Sequence, residues 1–147
     1  MEYFLINQLP SDEHMSALAK AHNEIFNDAH TVAALKEELE RVHSPLFQYV
    51  VVEGIVVAFK IGYEEKKHRF YSWLGGVLPS FRGQGIAREL MSRQHQWCKE
   101  NGYKVLRTKT LNKWKAMLIL NLKSGFDIIG TYIDGKGQTK LILQKEL

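Results

Sequence analysis

The sequence predicts an α/β (α+β) chain with a central sheet of about seven strands flanked by helices, in the order β-α-α-β-β-β-α-β-α-β-β. Three observations lead there. The 147 residues fall in the range of one domain that hides roughly two-thirds of its unfolded surface in one core. Runs rich in aromatic and β-branched residues alternate with stretches whose apolar residues recur every three or four positions. No internal repeat, low-complexity segment or shift of composition marks a linker, so residues 1–147 are read as a single domain.

Tyr3-Phe4-Leu5-Ile6 reads as a short strand. Pro10-Ser11-Asp12-Glu13 then supplies a cap and an acidic first turn for a helix toward Phe26. A second helix, capped by Thr31, carries the stripe Val32, Leu35, Leu39 and Val42 and ends before Ser44-Pro45. Phe47 to Val52 and Ile55 to Tyr63 form a hairpin about Glu53-Gly54. The polar break Glu64-Glu65-Lys66-Lys67-His68 precedes a strand from roughly Phe70 to Leu78, which Pro79 ends because it cannot donate to a ladder. After a glycine-containing turn, a long helix keeps Ala87, Leu90, Met91, Trp97 and Cys98 on one side until Asn101-Gly102 stops it. Lys104 to Leu111 is a strand and Trp114 to Lys123 a helix. Asp127 to Ile133 and Thr139 to Leu143 flank the turn Asp134-Gly135-Lys136-Gly137.

Composition excludes several classes. With 45% hydrophobic and 24% charged residues the chain is neither disordered nor fibrous, and its longest apolar runs are too short to cross a bilayer. No secretory leader pattern opens the chain, and the lone Cys98 can form neither an internal disulfide nor a cysteine cage, which suggests a reducing cytoplasm. The six histidines show no paired ligand spacing, so no metal site is expected. Cys98 lies on an apolar helix face and reads as a small buried hydrophobe rather than an acyl-carrying nucleophile.

The informative segment is Val77-Leu78-Pro79-Ser80-Phe81-Arg82-Gly83-Gln84-Gly85-Ile86-Ala87, where strand, glycine turn and helix succeed one another. Glycine lets backbone approach a ligand closely, and the first turn of a helix has amide hydrogens without internal partners, which together suit a phosphate. A helix dipole gives only ~0.3–1 kcal/mol, so converging hydrogen bonds must supply the rest. A triphosphate loop needs Gly-Lys-Ser/Thr, yet Ile86-Ala87 follows Gly85. A dinucleotide fingerprint needs a third glycine where Arg88 stands, and an acidic residue about 20 positions on, where 101–126 holds none.

These residues resemble the GNAT acetyltransferases, whose signature of Gln or Arg, two residues, Gly, one residue, then Gly or Ala is met by Arg82, Gly85 and Ala87. The resemblance extends to Val77 and Pro79, to the order of elements along nearly the whole chain, and to Ser124-Gly125-Phe126. It implies a mixed sheet and acetyl-coenzyme A as cosubstrate. The amides of Gly83, Gln84, Gly85, Ile86 and Ala87 would hold its pyrophosphate, beside Arg82, and the strand through Val77 would pair with the pantetheine arm, which Asn112 also reaches. One or two of Lys109, Lys113 and Lys115 are expected to face the 3′-phosphate.

Transfer to an amine needs a proton acceptor or a water chain, because an alkyl ammonium near pKa ~10 has no lone pair. Many relatives place a glutamate on the strand before the loop. Here that strand reads Phe70-Tyr71-Ser72-Trp73, leaving Tyr71 and Ser72 as weak substitutes. Glu24, His30 and Glu64 lie in segments expected to border the acceptor, with Phe26, Tyr63 and Trp73 as candidate pocket aromatics. Many relatives also carry a tyrosine, five residues before the Gly-Phe phenylalanine, that protonates the departing thiolate; that position is Asn121, which donates a hydrogen bond but no proton. Tyr132 is then a candidate acid, or the thiolate leaves unprotonated.

The sequence thus points to an N-acetyltransferase acting on an unidentified small-molecule or peptide amine, compatible with a homodimer. A catalytically silent acyl-coenzyme A sensor is the runner-up, suggested by the missing carboxylate and Asn121. Nucleic-acid binding through Lys104, Arg107, Lys109, Lys113, Lys115 and Lys123 ranks last, because the loop addresses coenzyme A.

Overall fold

The computed structural model describes residues 1–27 and 32–147. Its elements are β1 (Glu2–Ile6), α1 (Asp12–Phe26), α2 (Val32–Glu40), β2 (His43–Val52), β3 (Ile55–Lys66), β4 (Arg69–Val77), a 3₁₀ turn (Pro79–Phe81), α3 (Ile86–Glu100), β5 (Val105–Leu111), α4 (Lys115–Lys123), β6 (Asp127–Ile133) and β7 (Thr139–Glu146). The predicted order of strands and helices holds throughout, with the 3₁₀ turn as an addition. Ser11 caps α1 as expected, its hydroxyl accepting from His14 N at 3.3 Å. Thr31, the expected cap of α2, lies outside the described residues.

Two boundaries differ for physical reasons. Ser44-Pro45 does not separate helix from strand: α2 stops at Glu40 and β2 starts at His43, with Ser44 at φ 51. The register slip between His43 and Leu46 absorbs the proline there. The polar run 64–68 is mostly strand, because β3 and β4 pair out to Lys66–Arg69 and only Lys67 and His68 make the turn. Charged side chains on a half-exposed strand cost little, so polarity alone misplaced that turn.

The seven strands run β1-β2-β3-β4-β5-β7-β6. All neighbours are antiparallel except β4 and β5, whose parallel pairing needs the crossover that α3 provides. One sheet face is covered by α1 and α2, which bury Met15, Leu18, Leu35 and Leu39 against Phe47, Phe59 and Ile61. The other is covered by α3 and α4, with Leu90 on Val50 and Val57, and Met91 and Cys98 on Phe70 and Leu106. Burying such side chains stabilises by roughly 1.5–3 kcal/mol each. Cys98 is fully buried, and burial pushes its thiol up to about 12, which keeps it protonated and unreactive. No described helix is long and apolar enough to cross a membrane.

Candidate functional site

The parallel pair β4–β5 is incomplete. Pairing covers only Arg69 to Ser72 with Val105 to Thr108, although β4 continues to Val77 and β5 to Leu111. The last pair is fastened by Thr108 Oγ1, which donates to Ser72 O at 2.8 Å. Just beyond it the register with β3 slips: Ile61 faces Leu74 and Gly62 faces Ser72, leaving Trp73 as an extra residue. Such a bulge bends its strand, and here it carries β4 away from β5. Leu78 N–H bonds to Val57 O at 2.8 Å, so by strand alternation Gly76 also faces β3, while Gly75 and Val77 turn their backbone groups to the opening. The Val77 carbonyl accepts Arg82 Nε at 3.0 Å, which ties the following loop to the end of β4.

At that end, Gly83 and Gly85 adopt φ 78 and 79, values that side-chain-bearing residues rarely hold. Gly85 is the N-cap of α3 and offers no side chain to its first amides, so those donors point outward unsatisfied. A Cβ at Gly83 would meet nothing within 4 Å, and one at Gly85 would lie 3.5 Å from Arg88 Nη2. The loop is therefore an open, glycine-walled cradle with a helix N-terminus below it and a guanidinium beside it. Such a cradle fits a phosphate group. Gln84 is exposed, Ile86 is buried in the core beneath the loop, and Ala87 is partly buried. Arg88 was missed in the sequence, where it counted only as the absent third glycine; its place three residues past Gly85, in the first turn, was the available signal.

Different groups stand on the two faces of the opening. On the α1 face, Tyr71 is opposite Tyr63 on β3 and Arg107 on β5. The Tyr63 ring lies edge-on to Tyr71 at 5.4 Å and to Trp73 at 6.2 Å. Arg107 donates to Gln144 Oε1 at 2.7 and 3.2 Å, and Lys109 Nζ sits 5.4 Å from the centroid of the Tyr132 ring. Lys109 is thus engaged on this face by Tyr132. Burial, then Tyr63, then Tyr132 push the Tyr71 phenol well above the usual range. At neutral pH it is a hydrogen-bond donor and not a base. Phe26 closes the end of α1, against the place a Gly76 Cβ would occupy and 6.1 Å from the Trp114 ring.

The α4 face holds Asn121, which is buried and committed to its own helix: Nδ2 donates to Met117 O at 3.0 Å, and its carbonyl receives Ser124 N and Phe126 N. Other candidates are scattered. Glu24 is exposed on α1, in a depression with Ser16, Lys20, Asn23 and Asn27, apart from the aromatic group. Glu64 pairs with His43 at 3.4 Å and lies near the Tyr103 phenol, at the far end of β3. His30 lies outside the described residues. Asn112 N–H bonds Thr139 O at 2.9 Å, and its Oδ1 accepts from Lys115 at 3.0 Å, above the end of β5. Among the described residues, no group of three or more His, Cys, Asp or Glu gathers about a metal position.

Residues 12–117 match the family described as Acetyltransferase (GNAT) family. No curated protein matches the chain in sequence. Among solved structures, the chain is similar to Ard1 from Thermoplasma volcanium, at 17% identity and TM-score 0.82 over 99% of this chain and 97% of that one. It is similar to the ribosomal-protein-S18-alanine N-acetyltransferase from Escherichia coli, at 13% identity and TM-score 0.80 over 99% and 94%. It also resembles the PaiA N-acetyltransferase from Thermoplasma acidophilum in complex with coenzyme A, at 13% identity and TM-score 0.78 over the whole of both chains.

Proposed function

Because this chain belongs to the GNAT acetyltransferase family, we propose that it moves an acetyl group from acetyl-coenzyme A directly to a primary amine of a small molecule or peptide. The observation that carries the proposal is the parting of β4 from β5 after Ser72 and Thr108, with the Gly83–Gly85 cradle following β4 and tied to its end by Arg82. A slot lined by free strand backbone and ended by an anion cradle suits a ligand with an amide-bearing arm and a pyrophosphate. The PaiA relative was solved with coenzyme A, which supports the same reading.

In this reading the amides of Gly83 to Ala87 and the Arg88 guanidinium hold the pyrophosphate, and the backbone of Gly75 and the Val77 N–H pair with the arm. Acetyl-coenzyme A supplies a thioester activated toward amines. The aromatic face of Tyr63, Tyr71, Trp73 and Tyr132 borders the acceptor. Tyr71 donates a hydrogen bond there and orients the acceptor; it takes no proton, so the proton of the acceptor ammonium passes to water. Placing the two reactants together accounts for ~7–11 kcal/mol of the barrier, more than the ~10²–10⁴-fold of one positioned base, so a strand without a carboxylate still supports transfer.

The test is acetyl-coenzyme A turnover across a panel of small amines and peptide N-termini, read as free thiol released. Amine-dependent release that disappears in Gly85→Val supports the proposal. Tight cofactor binding with no release on any amine would instead mark a sensor.

A further inference from the structure

A lysine lies on the α3 side of the opening. Lys60 is carried by β3 and stands between Gln48 on β2 and Gly75 on β4. Its face is set by its neighbours: Gln48 Nε2 reaches Leu90 O on α3, and a Cβ at Gly62 would press on Gln94 of α3. Among the described residues, no hydrogen bond or ion pair engages Lys60. Gln48 Oε1 next to it is buried and unpartnered, yet the ammonium does not turn back to it. The stem instead runs past Gly75, where an added Cβ would lie 3.5 Å from Lys60 Cγ. Strands are about 4.8 Å apart, so a four-carbon stem that crosses a glycine on β4 is long enough to bring its ammonium to the gap beyond. The opposite bank has a matching orphan: Thr110 Oγ1, on β5 past the last parallel pair, is buried without a partner.

We propose that Lys60 is the catalytic acid of the transfer, its ammonium standing in the α3-side mouth of the β4–β5 opening to protonate the departing sulfur. The inference rests on the acetyl-transfer reading above. As the new N–C bond forms, the C–S bond breaks and its electron pair stays on sulfur. Lys60 gives one Nζ proton to that sulfur, becomes a neutral amine, and recovers a proton from water. The proton lost by the acceptor nitrogen leaves to solvent, so the balance is one thioester and one amine to one amide and one thiol.

The surroundings suit this role. Burial lowers Lys60 to about 8. An ordinary thiol titrates near ~8.5, so donor and acceptor are nearly matched, the condition under which proton transfer is most effective. The titratable groups facing Lys60 from α3 are Cys98, pushed up to about 12, and His95, pushed down to about 3; both are neutral at working pH. Gln48 faces it from β2 and carries no charge. Asn121 Nδ2 is tied to Met117 O and has no titratable proton to offer, so it does not compete for this role.

Free coenzyme A and acetyl-coenzyme A separate the possibilities by calorimetry at pH 7.5 in two buffers of different ionisation enthalpy. An unpaired ammonium by the sulfur favours the thiolate, so wild type is expected to release a fraction of a proton on binding coenzyme A and none on binding acetyl-coenzyme A. Lys60→Met keeps the apolar stem. It is expected to melt at or above wild type, bind acetyl-coenzyme A within about twofold, lose the proton release, and lower kcat about 10²-fold. Lys60→Arg keeps the charge but gives up its proton far less readily, so it is expected to retain proton release while losing kcat. Unchanged proton release and kcat in Lys60→Met, with acetyl-coenzyme A still bound, overturns the role of Lys60 alone. Failure of wild type to bind either ligand overturns the acetyl-transfer reading together with it.

Discussion

Arg82 Nε donates to the Val77 carbonyl at 3.0 Å, so the side chain that opens the glycine loop also fastens it to the free end of β4. The sequence suggested an arginine directed at the cofactor; the structure gives this one a positioning contact within the chain. Removing it releases the cradle from the strand that aims it. Arg82→Ala is expected to weaken acetyl-coenzyme A binding roughly tenfold, about 1.4 kcal/mol, with little change in melting temperature. Arg82→Lys should recover little, because an ammonium does not reproduce the planar Nε–H contact. Calorimetric titration of the two variants checks both expectations, and full affinity in Arg82→Ala would remove the fastening from the account.

Tyr71 and Tyr132 separate by the same logic. Tyr71 is held protonated by burial and by its tyrosine neighbours, and so acts only as a donor. Tyr71→Phe is expected to raise KM for the amine several-fold while the alkaline limb of the kcat profile stays in place. Tyr132→Phe keeps the ring that Lys109 covers and is expected to be near wild type. A lost or displaced pH limb in either variant, read from kcat against pH, would mark that phenol as a proton carrier.

His95 should make stability depend on pH. Burial, then Lys145 and Lys60, hold it down to about 3, and Lys145 Nζ donates to its Nδ1 at 3.1 Å. The folded protein therefore keeps this ring neutral, while the unfolded chain takes up a proton below about 6.5. The contribution is fully present above pH 6.5 and is lost as pH falls toward 3. Between pH 7.5 and 5.5, wild type is expected to lose about 1 kcal/mol more than His95→Gln, whose amide oxygen still accepts from Lys145. Urea unfolding of both proteins at the two pH values measures it; equal losses would show that His95 is not held neutral.

The order of elements was legible because strand and helix periods differ sharply along this chain, and the cradle was legible because Gly83 and Gly85 interrupt a strand-to-helix junction. The opening itself was not. It depends on Trp73 being an extra residue opposite β3, which puts Trp73 and Leu74 on the same face, and in a strand with apolar residues on both faces that break in alternation does not stand out. Glu64 illustrates the same limit: its segment read as a loop that could reach the acceptor, but strand pairing extends through it and sends its carboxylate to His43. Lys60 was silent in the sequence for a related reason. A lysine inside a hydrophobic strand reads as a solvated side chain until the glycine beside it and its lack of a partner are seen together.

Titrating acetyl-coenzyme A into wild type and Gly85→Val by calorimetry decides whether the cradle at Gly83–Gly85 and the slot between β4 and β5 hold this ligand. A valine at φ 79 costs ~1–2 kcal/mol of backbone strain and places its branch toward Arg88 Nη2. The variant is expected to melt cooperatively several degrees lower. Wild type should bind one equivalent, and the folded variant should bind at least 100-fold more weakly. No binding by wild type, or equal affinity in a variant shown to be folded, would contradict the site.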